Sequence, residues 1–353
     1  MKVAVLGLPA SGKTTVFNLL TGMTQPTGQF VATEAAVTGV AAVKDPRLEF
    51  LRKIQNPEKC TPAALEFVDT AGLLADERIK GESRLLADIR ECDGILKVVR
   101  AFKSQAVPHP EGSVNPQRDL ELIDTKLLLA DLEIAERRIE KLEVSARKPT
   151  PQQEQEKREL ALLKRCRDVV NAGGQIRDVH LHPEEERVLR GFCFLTQKPA
   201  VVVLNIGEDA LKEMTAVRSE APVLALCAKL EVELAQLAEE ERGDFMKDLG
   251  LDRLHRDAVV RLCYEALGLI TFYTVVGKEL RAWSLRKGAT AVEAAGRIHS
   301  DMAKGFVKAE VVHFPDLESL GSMKEVRAHG KFHLEGKDYV VSDGDIITFK
   351  FTS

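Results

Sequence analysis

The stretch from Gly7 to Thr15 reads GLPASGKTT and has the form G-x-x-x-x-G-K-[ST], with Gly7, Gly12, Lys13 and Thr14 in the defining positions. In such a loop the backbone N–H groups cradle phosphates, the lysine reaches the terminal ones and the hydroxyl faces Mg²⁺. The flanks supply the context. MKVAVL before the loop is an apolar run of strand length, and TTVFNLLTG after it carries a helix pattern, so phosphates would meet a helix N-terminus. The candidate phosphate cradle therefore runs from Pro9 through Ala10, Ser11, Gly12, Lys13 and Thr14 to Thr15. The expected fold class is α/β, a P-loop nucleoside triphosphatase G-domain.

The chain has 353 residues, enough for two to three domains. No apolar run approaches the ~18 residues that span a bilayer, so no membrane partner and a cytoplasmic location are expected. A net charge of -4 argues against bulk attraction to nucleic acid; no DNA partner is expected, although a local basic face is still compatible with RNA contact. Cys60, Cys92, Cys166, Cys193, Cys227 and Cys263 show no C-x-x-C spacing, which points to reduced thiols rather than a zinc site or a disulfide framework.

Past the first helix, residues 22–32 read as a polar loop passing over the bound phosphates. Thr33, about 20 residues past the lysine, is placed to reach Mg²⁺ and the γ-phosphate. Thr38 to Val43 and Ala64 to Val68 read as strands, and the second delivers VDTAG into a loop. Asp69 would hold Mg²⁺ through water, and the Gly72 N–H would face the γ-phosphate. Where many GTPases carry a water-orienting glutamine this chain has Leu73, which can neither donate nor accept a hydrogen bond. Gly94 to Val99 is a buried strand whose exit, Phe102 to Pro116, is a proline-containing loop. That loop places His109 at the edge of the sheet where nucleotide chemistry occurs, as a candidate catalytic residue or a solvated one.

From Arg118 to about Ala172 the pattern is helical and charged, with a turn at Lys148 to Pro151 and a sparse apolar stripe. It reads as a projecting antiparallel arm, either merely solvated or using Arg137, Arg138, Lys141, Arg147 and Lys148 to meet RNA phosphates. Pro199 to Leu204 is another buried strand and ends at Asn205-Ile206-Gly207-Glu208. GTPases typically place N-K-x-D there; here Ile206 replaces the lysine and Glu208 the aspartate that grips guanine, which leaves guanine selectivity open. Cys227 to Lys229 sits where the second base-contact loop belongs. A β-hairpin over 270–285, a helix over 291–300 and strands over 304–312 and 337–351 follow, the order of a small β-grasp module.

GLPASGKTTVFNLL (7–20), DPRL (45–48), VDTAGL (68–73), LADLEIAERRIEKLE (129–143), NIGE (205–208), KELRAWSL (278–285), HSDMAKGFVKAEVV (299–312) and LEGKDYVVSDGDI (334–346) together resemble the YchF or Obg-like ATPases, in order and over essentially the whole chain. The resemblance implies a G-domain at 1–117 and 196–268, a helical-arm insertion at 118–195 and a C-terminal TGS-like β-grasp domain at 269–353. It also implies slow Mg²⁺-dependent hydrolysis of ATP, with GTP the weaker ligand, and association with the ribosome or ribosomal RNA. A hydrophobic residue at the position of Leu73 and a loop histidine active in hydrolysis, matched here by His109, belong to the same pattern. The chain departs from the family's G-L-P-N-V-G-K-S at Ala10, Ser11 and Thr14, and TEAAVTG (33–39) keeps only Thr33 of the usual T-I-E-P-N segment, as in a divergent paralogue.

Overall fold

A computed structural model of the chain describes residues 1–27, 36–70, 82–211, 216–249, 251 and 254–352. The first half runs β1 (Lys2–Leu6), α1 (Lys13–Thr21), β2 (Val37–Ala42), α2 (Pro46–Gln55), β3 (Lys59–Thr61), β4 (Ala64–Asp69), α3 (Glu82–Arg90), β5 (Gly94–Ala101), α4 (Pro116–Ser145), α5 (Gln153–Asn171) and α6 (Pro183–Arg190). It continues through β6 (Ala200–Ile206), β7 (Val223–Leu226), α7 (Ala228–Gln236), α8 (Glu239–Leu249), α9 (Arg256–Ala266), β8 (Leu269–Val276) and β9 (Glu279–Arg286). The C-terminal part is α10 (Ala291–Ile298), α11 (Ser300–Lys304), β10 (Phe306–Val312), α12 (Phe314–Leu320), α13 (Met323–Ala328), β11 (His333–Glu335) and β12 (Ile346–Phe351).

Two six-stranded sheets organise these elements, in the orders β2-β4-β1-β5-β6-β7 and β11-β10-β12-β8-β9-β3. In the first, β1, β5, β6 and β7 pair in parallel. Strands covered on both faces must be apolar throughout, and AVVVLNI of β6 is buried at every residue. Leu6, Val99, Val202 and Leu204 from these strands meet Ile123 and Leu127 of α4 in one core. Their carboxyl ends lead into the P-loop, the 102–115 loop, NIGE and the 227–229 loop. Such a sheet thus collects its candidate functional residues along one edge.

The chain divides into two compact units, residues 1–39 with 67–255 and residues 40–66 with 256–353. The second unit takes in a segment that the sequence assigns to the G-domain. Asp45 caps α2 by accepting from the Arg47 N–H, with Pro46 at the first helical position. Phe50 of α2 then packs edge-on against Phe314 at 5.5 Å, β3 pairs with β9, and Arg47 bridges Asp45 and Asp343.

In the same unit β8 and β9 form the expected hairpin, and the last strand, β12, lies parallel to β8. The strand expected over 337–351 is confined to β12. Asp345, fully buried, accepts from the Ser342 N–H and Tyr339 Oη, and Gly344 turns the chain with φ +95°, so that 342–345 form a turn that leads into β12.

The helical arm has more substance than its sequence indicates. Ala135, Ile139 and Leu142 of α4 and Leu162, Leu163 and Cys166 of α5 share a core with Ile176, Val179, Leu189 and Phe194, so α6 and the chain around it cover the hairpin. Burial of each leucine, isoleucine, valine and phenylalanine among them is worth roughly 1.5–3 kcal/mol. Asp131 ties this region to the sheet: its carboxylate is wholly buried and accepts from the N–H groups of Leu195 and Thr196, the Thr196 hydroxyl and Arg90.

Candidate functional site

The site begins with the end of α1. Gly12 is its N-cap in the left-handed region, φ 88°, and no side chain caps the helix. Its first N–H groups and the positive end of its dipole are left for an anion. A Cβ on Gly12 would stand 2.2 Å from Asn205 Nδ2, and one on Gly7 2.3 Å from the Val98 carbonyl oxygen, so close packing requires both glycines. Ala10 also lies in the left-handed region, φ 60°, which costs a residue with a Cβ roughly 1–2 kcal/mol. Ser11 is buried with an unpartnered hydroxyl, and Thr15 lies farther along the first turn of the helix.

Lys13 is buried and its ammonium donates to the Leu8 carbonyl at 3.3 Å. Burial lowers its pKa to about 8, against the attraction of Asp69. At the end of β4, Asp69 is 2% exposed and neither carboxylate oxygen has a hydrogen-bond partner. Burial pushes its pKa up, opposed by Thr14 and Lys13 beside it. Two orphaned buried acceptor oxygens next to a hydroxyl are a donor set that suits a hard divalent cation. Asp69 and Thr14 fit Mg²⁺ on that ground. Among the described residues there is no group of three His, Cys, Asp or Glu that could hold a metal. Thr33 and Gly72, the other two residues expected at the metal and the γ-phosphate, lie outside the described residues, as does Leu73.

Asn205 joins the P-loop to the base side. Its Nδ2 donates to the Ser11 carbonyl at 3.0 Å and its Oδ1 accepts from the Ala228 N–H at 3.1 Å. Around it opens a cavity of about 750 Å³, bordered by Gly12, Thr15, Phe102, Asn205, Glu208 and Lys229. Ile206 also borders it, although its side chain is 5% exposed and belongs to the core. Glu208 is engaged already: Lys229 Nζ lies 3.2 Å from its Oε1. Sequence reasoning missed Phe102 and Lys103, which border the cavity from the loop after β5. Their position directly past a buried strand, beside the P-loop strand, was the available signal. Arg100 at the end of β5 stacks on the Phe102 ring at 4.5 Å and donates to the carbonyls of Phe102 and Val107, which orders the start of this loop.

His109, farther along the loop, is not in that cavity. Its Nε2 pairs with Asp119 Oδ2 at 2.8 Å, its Nδ1 accepts from the Glu111 N–H, and both side chains of the pair are nearly inaccessible. It lies beneath the P-loop with Pro9 and Ser11. Asp119 was likewise missed; it opens α4 and is held from its other side by Arg118 at 2.7 Å.

Comparison with known proteins finds relatives that span the whole chain. A family model described as "50S ribosome-binding GTPase" matches residues 2–205, and the YchF-GTPase_C model, described as a protein of unknown function, matches residues 269–352. The chain is 40% identical to the "Ribosome-binding ATPase YchF" of Haemophilus ducreyi, over 99% of both chains, and 35% identical to the protein of that name in Bacillus subtilis, again over 99% of both. The solved structure of the Schizosaccharomyces pombe YchF GTPase aligns with a TM-score of 0.86 at 28% identity, over 99% of this chain and 97% of that one. Similarity over the full length shows that this chain belongs to the YchF family of P-loop nucleoside triphosphatases.

Proposed function

We propose that this protein is a cytoplasmic, Mg²⁺-dependent switch that binds and slowly hydrolyses ATP in preference to GTP and acts on or near the ribosome. The observation that carries the base preference is the Glu208–Lys229 pair. Guanine recognition uses a carboxylate free to accept two N–H groups. Here the carboxylate is one methylene longer, is claimed by a lysine, and has Ile206 in place of the usual lysine.

On the phosphate side, Lys13 exchanges the Leu8 carbonyl for a terminal phosphate, and the uncapped end of α1 supplies N–H donors. Thr14, Asp69 and Thr33 would hold Mg²⁺, which would supply positive charge against the phosphates. Gly72 would donate to the γ-phosphate. With Leu73 unable to orient water, hydrolysis rests on His109, which must leave Asp119 to act at the phosphates. That requirement is in keeping with a slow intrinsic rate. Ribosome association is supported by the relatives, which are ribosome-binding ATPases by name, and by the exposed basic residues near the tip of the arm.

Single-turnover hydrolysis of labelled ATP and GTP, with and without ribosomes, tests the reading. ATP should be cleaved, and Lys13→Ala should abolish cleavage. Tight ATP binding without cleavage in either setting would instead leave a nucleotide-locked binding module.

A further inference from the structure

A second polar pocket lies away from the nucleotide cavity. Nucleotide-side residues follow the strands, as Cys227 follows β7; this pocket is bordered by Arg218 and Glu220, which precede β7, and by Lys97, Asp124, Gln175 and Arg177, in a volume of about 290 Å³. That size is near the lower end of small-ligand sites, roughly 300–1,000 Å³.

Its base is unusual. Lys97 interrupts the apolar strand GILKVVRA and its side chain is 4% exposed, with its ammonium on Asp124 Oδ1 of α4. Nothing in nucleotide hydrolysis uses this charge. The pair is neutral as a whole, which leaves two guanidiniums against the single carboxylate of Glu220 on the pocket lining. Arg177 spends only its Nε, on the Thr196 carbonyl at 3.0 Å, and neither Arg177 nor Arg218 forms a side-chain ion pair among the described residues. Protein crowding around the Arg177 guanidinium lowers its pKa, opposed by the nearby Asp178, Asp124 and Glu220. Arg218 is positioned through its backbone, whose N–H and carbonyl are both held by the Gln117 side chain.

We infer that this pocket is a binding site for a small phosphorylated molecule, whose oxyanion bridges Arg177 and Arg218 above the Lys97–Asp124 pair. Planar guanidinium forks match a phosphate's oxygens two at a time, and two unspent forks bordering one concavity suit a dianion. Glu220 at the rim disfavours a larger polyanion, which would bring further charge past it.

The test uses the full chain with its P-loop filled by Mg²⁺ and a non-hydrolysable ATP analogue, titrated with inorganic phosphate by calorimetry. Saturable binding in the millimolar range or tighter is expected, weakened about tenfold or more by Arg177→Ala and by Arg218→Ala, with ATP affinity unchanged in both. No saturable binding, or binding indifferent to both substitutions, would overturn the site. Glycerol phosphate should displace inorganic phosphate at lower concentration than a short single-stranded RNA does. RNA as the better competitor would overturn the small-molecule assignment and make the ligand a nucleic-acid backbone.

Discussion

His109 donates from Nε2 to Asp119 Oδ2 at 2.8 Å, because its Nδ1 is already an acceptor for the Glu111 N–H. Both ring nitrogens are spent inside the protein, and the ring sits below the P-loop rather than in the nucleotide cavity. His109→Ala should lower single-turnover ATP hydrolysis by about a hundredfold or more, the scale of a general acid–base contribution, and change ATP affinity little. Unchanged turnover would make the pair a purely structural anchor of the loop.

Protonation of Lys13 makes ATP binding pH-dependent. Its folded pKa of about 8 lies below the ordinary 10.5, so between these values the unfolded chain keeps a proton that the folded chain has lost. The contribution of this group to stability therefore rises with pH across that window. Phosphates need the charged ammonium, so binding should take up a proton near pH 8.5 and weaken as pH rises further. Calorimetry in buffers of different ionisation enthalpy would show the uptake, and Lys13→Arg should remove it along with the pH dependence.

Much of this site is legible in the sequence because its parts are local. Gly7 to Thr15, the strand before Asp69 and the strand before Asn205 each declare themselves within about ten residues, and a parallel sheet aligns them on one edge. Other parts depend on tertiary partners. Asp119 is ten residues from His109 on another element, with nothing in PHPEG to name it as the partner. Residues 46–61 are short and amphipathic, and only the pairing of β3 with β9 and the Phe50–Phe314 contact assign them to the second unit. The stripe of the arm looks sparse because part of its covering comes from Ile176, Leu189 and Phe194, beyond the hairpin itself.

Ala10 offers a substitution that its backbone already favours. At φ 60°, asparagine is tolerated better than alanine, so Ala10→Asn should fold at least as stably as the natural protein. In K⁺-using P-loop switches an asparagine oxygen at this position helps hold the ion beside the phosphates, and a methyl group cannot. Hydrolysis by the natural protein should respond weakly to KCl against NaCl at equal ionic strength, and Ala10→Asn should raise the response. Strong stimulation of the natural protein by K⁺ would mean that other oxygens build the site.

On the arm, the basic residues expected to meet RNA divide into two groups. Arg137 is paired with Glu133 and Arg138 with Glu159, whereas Lys141, Arg147 and Lys148 are exposed and form no ion pair among the described residues. Changing those three to glutamate should weaken ribosome cosedimentation and lower its salt dependence by about two in log–log slope, since each phosphate contact contributes ~0.7–0.9. ATP affinity should be unaffected. Equal cosedimentation would move ribosome contact to the second unit.

Base choice separates an ATP-dependent switch from a GTPase, and paired calorimetric titrations of ATP and GTP with Mg²⁺ measure it directly. ATP should bind more tightly than GTP. Lys229→Ala, which frees the Glu208 carboxylate, should narrow the gap by improving GTP binding, and Glu208→Asp alone should not produce strong guanine selectivity. A GTP affinity about ten times that for ATP, a difference of about 1.4 kcal/mol in the opposite sense, would contradict the assignment of this protein as an ATP-dependent switch.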